Sequence, residues 1–169
     1  MDFKNIKIIK KLGSGVFGTT YLVTKDNKKY AMKIQHILPK HRTKSFQYEL
    51  WRELDLYKYI NTLNKNDSKF FTKLYAYEIY DNCKHEQKRP FKLGNDSWAK
   101  GVKQLDKSDW CVKYLMDYQG KQTFGKYMST HSIKPKEMRS FLLQIIKITL
   151  LLQKGGYCHC DLHPLNIMV

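Results

Sequence analysis

Three short runs rich in branched and aromatic residues, Ile6 to Leu12, Thr20 to Val23 and Tyr30 to Gln35, follow one another with almost no chain between them. Parallel strands need a crossover of a dozen or more residues, so connections this short admit only antiparallel pairing. The first connection is Gly13-Ser14-Gly15-Val16-Phe17-Gly18, leading through Thr19 into the second run, and the next is Asp26-Asn27-Lys28-Lys29. The chain therefore opens as a β-meander. Phe70 to Tyr80 and Trp110 to Tyr118 read as two further strands, which predicts a five-stranded antiparallel sheet.

Helical patterning occurs twice. Thr43 to Asn61 carries Leu50, Leu54, Tyr57 and Ile60 along one stripe, with Glu49 and Glu53 one turn apart beside it. Pro135 to Gln153 starts near a proline, is apolar at Phe141, Leu142, Ile145, Ile146, Ile148, Leu151 and Leu152, and stops at Gly155-Gly156. Its wide apolar surface predicts burial. Between the last two strands, about 81–109, lies a polar segment with Lys84, Lys88, Arg89, Pro90, Lys92 and Lys100, read as a surface insertion without structure of its own, with Trp98 the residue able to dock. The fold class is α+β.

The net charge of +16 raises the question of a polyanionic partner, but most of the 31 basic residues are Lys and they are scattered from Lys4 to Lys154. Readers of bases and phosphates rely on clustered Arg, so nucleic acid is not the expected partner. The four cysteines, Cys83, Cys111, Cys158 and Cys160, do not look like a paired framework, and Met1-Asp2-Phe3-Lys4 has no signal-peptide core, which points to an intracellular, reducing location. Polar residues interrupt the longest apolar stretch, so no membrane span is expected. Cys158-His159-Cys160 with His163 lacks the second ligand pair of a structural zinc site.

Three segments carry chemistry. Gly13, Gly15 and Gly18 let backbone amides approach phosphate oxygens and tolerate positive φ angles, with Phe17 at the tip. Lys33 ends an apolar strand and has two candidate carboxylate partners on the following helix, Glu49 and Glu53. In His159-Cys160-Asp161-Leu162-His163-Pro164-Leu165-Asn166 a carboxylate and an amide stand five positions apart beside a proline. That spacing suits a loop holding a proton acceptor, Asp161, and a Mg²⁺ ligand, Asn166, against one phosphate.

Taken in this order, the three segments resemble the catalytic domain of a eukaryotic-type serine/threonine protein kinase over nearly the whole chain. The resemblance implies an amino-terminal lobe with one helix over 1–118, then a hinge and the first helices of an incomplete helical lobe over 119–169. It implies ATP and Mg²⁺ as cofactors and protein Ser/Thr as acceptor, with Asp161, Lys33 and Glu53 catalytic; the run Arg52-Glu53-Leu54 is similar to the family's helix and favours Glu53 over Glu49. It further implies that Leu12 to Thr20, including Ser14, Val16 and Thr19, cover the nucleotide, that Leu12 and Ala31 sandwich the adenine, and that Met116-Asp117-Tyr118-Gln119 is the hinge, with Asp117 and Gln119 offering backbone bonds to the base.

Departures from the family pattern carry expectations too. Cys160 stands where the family has Arg, and His163 where it has Lys; Asp-Leu-His-Pro is similar to the loop of small-molecule kinases of the aminoglycoside type, and a non-catalytic nucleotide-binding module is the third alternative. The 169 residues contain no Asp-Phe-Gly, the segment that holds the family's second metal ligand. The expectation is a truncated or split kinase, slow or inactive alone, with a partner chain supplying or covering the missing lobe.

Overall fold

The computed structural model describes residues 2–85, 88, 91–120 and 122–169; Arg89 and Pro90 of the polar segment, and Met1, lie outside the described residues. The chain divides into two compact units, Met1–Asn61 with Thr72–Tyr118, and Thr62–Phe71 with Gln119–Val169. Segment Thr62–Phe71, read from the sequence with the first region, clusters with the second unit.

In the first unit, β1 (Lys7–Ser14), β2 (Gly18–Lys25), β3 (Lys28–Ile37), β4 (Leu74–Tyr80) and β5 (Trp110–Asp117) form one sheet in the order β1-β2-β3-β5-β4. All four pairings are antiparallel. The β2–β3 hairpin closes through Asp26 (φ 50°) and Asn27 (φ 59°), the two positive angles that a two-residue turn of the right twist requires. Side chains alternate across β5: Val112, Tyr114 and Met116 join Ile37, Leu50 and Leu54 in the core against α1 (Glu49–Thr62), while Leu115 joins Val23, Tyr30 and Met32 on the opposite face.

Helix α1 begins at Glu49, not at Thr43 as the apolar spacing suggested. Pro39–Arg42 forms a 3₁₀ turn, and Ser45 Oγ accepts from Gln47 N at 3.3 Å, an alternative bond that keeps the backbone in a turn. Arg52 then donates to Phe46 O (2.7 Å) and Gln47 O (3.0 Å), tying this lead-in to the helix.

The polar segment also departs from expectation, because it contains α3 (Ser97–Asp106). Asp96 caps it by accepting from Ala99 N at 2.8 Å, and Ala99 and Val102 are fully buried. A disulfide joins Cys83, just past β4, to Cys111 on β5, which overturns the unpaired reading of these two cysteines and removes the cysteine pattern as an argument about redox compartment. The sequence concealed the pair because its proximity follows from the β4–β5 register, in which Tyr80 stands opposite Cys111.

The second unit holds α2 (Lys65–Ser68), α4 (Phe124–Thr130) and α5 (Pro135–Lys154). Neither short helix was legible in the sequence; Asn64 and Thr123 cap them. The glycine stop of α5 behaves as expected: Gly156 takes φ 79°, Gly156 N donates to Gln153 O and Tyr157 N to Leu152 O, both at 2.9 Å. The expected burial of α5 does not hold within this unit. Leu152 is buried, but Leu142, Leu143, Ile146 and Leu150 are each more than half exposed. Among the described residues no helix is long and apolar enough to cross a membrane.

Candidate functional site

Lys33 and Glu53 meet. Lys33 Nζ donates to Glu53 Oε1 at 3.1 Å, and both side chains are less than one-third exposed. Strand alternation aims Lys33 at α1, and one helical turn separates Glu53 from Glu49 at the helix start. Two phenols line the pair. The Tyr114 ring lies 5.4 Å from Lys33 Nζ, and burial followed by the Glu53 charge pushes its hydroxyl well above the usual tyrosine range; the same two causes raise Tyr57. Both stay neutral, and the Tyr114 hydroxyl accepts from Gln35 Nε2 at 3.3 Å.

The register lines up four strands. Gly13 stands opposite Thr20, Thr20 opposite Lys33, and Lys33 opposite Tyr114. Directly opposed residues share a face of the sheet, so the glycine segment and the ammonium lie on one surface. Within this segment Gly15 N donates to Gly18 O at 2.9 Å and Ser14 Oγ bonds Thr19 Oγ1 at 2.8 Å.

The glycines are not equivalent. A Cβ on Gly18 would sit 2.8 Å from Ile34 O, so the packing of β2 on β3 demands glycine there. On Gly13 or Gly15 it would meet nothing within 4 Å, so the fold leaves that space open. None of the three has a positive φ, so the expected left-handed turn is absent and bare backbone is what these residues provide. Phe17 is exposed and meets Trp98 of α3 edge-on, with ring centroids 6.5 Å apart, so Trp98 docks on the hairpin tip.

Leu12 is exposed and Ala31 buried, the latter opposite Leu22 and Met116. Val16 is half-buried and Thr19 buried. Asp117 ends β5; its N–H donates to Lys73 O at 3.0 Å and its carboxylate accepts from Lys73 N at 3.2 Å and from Tyr75 Oη at 2.5 Å. The expected backbone donor at Asp117 is thus engaged within the sheet. Gln119 begins the second unit.

Asp161 and Asn166 also meet. Asn166 Nδ2 donates to Asp161 Oδ2 at 2.9 Å and to Asp161 O at 3.0 Å. A carboxylate only accepts, so the amide nitrogen faces it and Asn166 Oδ1 is the atom turned away, a hard oxygen of the kind Mg²⁺ takes. His163 Nε2 lies 3.6 Å from Asp161 Oδ1, and Cys160 adopts φ 56°. The loop is held from below: Phe124 N donates to Ile167 O at 2.7 Å, Val169 N to Gln122 O at 3.0 Å, and the Phe124 ring stacks on Phe141 of α5 at 3.8 Å. Leu165 presses on Gly125, where a Cβ would come within 2.8 Å of its Cδ2.

Sequence reasoning missed Tyr57 and Tyr114 as the walls around Glu53. Cross-strand register would have shown Tyr114, but register follows only once β5 is known to pair with β3. It also missed a buried group on the other face, where His36 of β3 stands opposite Cys111 and within reach of Cys83. The sequence matches no protein-family model and no curated protein.

Proposed function

We propose that this chain transfers the γ phosphate of ATP to the hydroxyl of Ser or Thr in protein substrates, as a kinase-like α+β protein. The observation that carries the reading is the row Gly13–Thr20–Lys33–Tyr114, which joins backbone open to an anion with an ammonium already paired to Glu53. Gly13 and Gly15 admit phosphate oxygens to the backbone because nothing fills the space a Cβ would take. Lys33 orients the α and β phosphates as a positive charge whose position Glu53 restrains. Leu12 and Ala31 flank the adenine, and Gln119 offers a backbone bond to its edge.

Asp161 accepts the proton of the attacking hydroxyl. In support, Asp161 Oδ2 accepts from Asn166 Nδ2 at 2.9 Å, and Asp161 Oδ1 lies 3.6 Å from His163 Nε2. Asn166 would hold Mg²⁺ through Oδ1, where the bound ion neutralises phosphate charge. A second reading, a small-molecule hydroxyl as acceptor, is favoured by His163 beside Asp161 where protein kinases carry Lys. Labelled phosphate transfer from ATP to a basic Ser/Thr protein, run beside a panel of sugars and aminoglycosides, separates the two. Slow transfer to protein that Asp161→Ala removes is the expected result; incorporation equal in both chains overturns the reading.

A further inference from the structure

We propose that Cys83, Cys111 and His36 form a two-state site, a disulfide when oxidised and, when reduced, a binding site for one thiophilic divalent cation such as Zn²⁺. This inference is independent of the phosphoryl-transfer reading, because Lys33 faces α1 whereas His36 and Cys111 face the other side of the sheet.

The chemistry of the donors is that of zinc. Two sulfurs and one imidazole nitrogen, all from buried residues, lie within 4.8 Å of one another. His36 Nδ1 is 3.6 Å from Cys111 Sγ. Tetrahedral coordination, with Zn–S of about 2.3 Å and Zn–N of about 2.0 Å, sets that ligand-to-ligand edge at about 3.5 Å, close to the observed separation. The ring is also oriented as a ligand: its other nitrogen, Nε2, lies 2.6 Å from His85 O, the outer bond that metal-binding histidines make and that directs Nδ1 to the sulfurs. Nδ1 is 2.9 Å from Ser108 O, and this one contact is exchanged when Nδ1 takes a cation. A cation held by these three protein ligands would take its fourth from water.

The two states need little rearrangement. A dithiol reductant gives two electrons and two protons to the sulfurs and is itself oxidised to its cyclic disulfide; zinc then displaces the two thiol protons. The sulfurs must part to about 3.7 Å to serve as two ligands. Cys111 sits in β5, paired on both sides, whereas Cys83 lies beyond β4 after Asn82, which has φ 52°, held by its N–H donating to Asp109 O at 2.9 Å, so the separation falls on chain outside the strands.

The test uses the full chain carrying Cys158→Ser and Cys160→Ser, because those two thiols are exposed and would compete for added metal. After anaerobic reduction with excess dithiothreitol and its removal, zinc is titrated against a chromophoric chelator, and Co²⁺ is added separately to read sulfur-to-metal charge-transfer absorption. The expected result is one Zn²⁺ per chain, thiolate bands with Co²⁺, and affinity at least ten-fold weaker in His36→Gln, which keeps both cysteines and so guards against a Cys83→Ser variant that fails to fold. A reduced chain that keeps its circular dichroism but takes up no zinc overturns the proposal. So does equal affinity in His36→Gln, or a pair that stays oxidised under the dithiol.

Discussion

The two halves of the proposed machinery are built in opposite ways. Lys33 and Glu53 sit against a packed core, about 28% and 29% exposed, with Tyr57 and Tyr114 around them. Asp161, by contrast, has a side chain 75% exposed, and its restraints are local: Asn166 five residues on and a loop pinned to α4. Charges in a low-dielectric setting interact strongly and cannot relax, whereas an exposed carboxylate is screened and free to turn. The first half is therefore fixed by the fold before any ligand arrives, and the second is fixed by its own short-range bonds. Chemistry and stability should separate along that line.

The largest expected effect falls on the exposed half and leaves the fold alone. Asp161→Ala should cost about 3 to 5.5 kcal/mol of barrier, a loss of ~10² to 10⁴ in transfer rate, with an unchanged thermal melting curve. Leu54→Ala does the reverse: it opens the core beneath Glu53 and should cost about 2 to 5 kcal/mol of stability, read from denaturant melting. A melting point that falls with Asp161→Ala as far as with Leu54→Ala would erase the distinction.

Within the hairpin the same comparison can be sharpened. Gly18→Ala should destabilise by about 1 to 3 kcal/mol, since its Cβ meets backbone at 2.8 Å. Gly15→Ala should leave stability within about 0.5 kcal/mol and act on nucleotide affinity alone.

Alkaline pH probes the packed half. Burial and then the Glu53 charge raise Tyr114 and Tyr57 well above the usual tyrosine range, while Tyr75, an exposed phenol outside that half, is raised to about 12 by its bond to Asp117. A raised folded-state value means the folded chain keeps protons the unfolded chain has lost. The stabilisation is thus complete below the ordinary tyrosine value near 10 and is lost progressively as pH rises through and beyond 12. Phenolate absorbance should show these tyrosines ionising together with unfolding.

The smallest effect lies beside Asp161. The hydrogen bond from Cys160 lowers the Cys158 thiol, and Cys160 is raised in turn, so limited alkylation should mark Cys158 first.

Much of the fold was legible because it rests on local signals. Short connections dictated the meander, enrichment in aromatic and branched residues placed β5, and the proline and glycine ends of α5 were read within a residue or two. What stayed hidden depends on long-range register. The start of α1 was masked by the Ser45 turn, α3 by the polar surface of a helix that buries little beyond Ala99 and Val102, and the Cys83–Cys111 link by the β4–β5 pairing. The same divide runs through the site: Asp161–Asn166 is visible as a spacing and Glu53 was chosen over Glu49 for Lys33 by resemblance, but Tyr114 and the row through Gly13 exist only once four strands are aligned.

The account stands or falls on nucleotide binding by the glycine row and Lys33. Calorimetric titration of ATP with Mg²⁺ into the chain, beside Lys33→Met, tests it directly. The expected result is measurable heat with one site per chain and an affinity about 10- to 100-fold weaker in the variant, the loss of one charge-assisted bond. Absence of heat in the unsubstituted chain, or identical affinity in both, would contradict it.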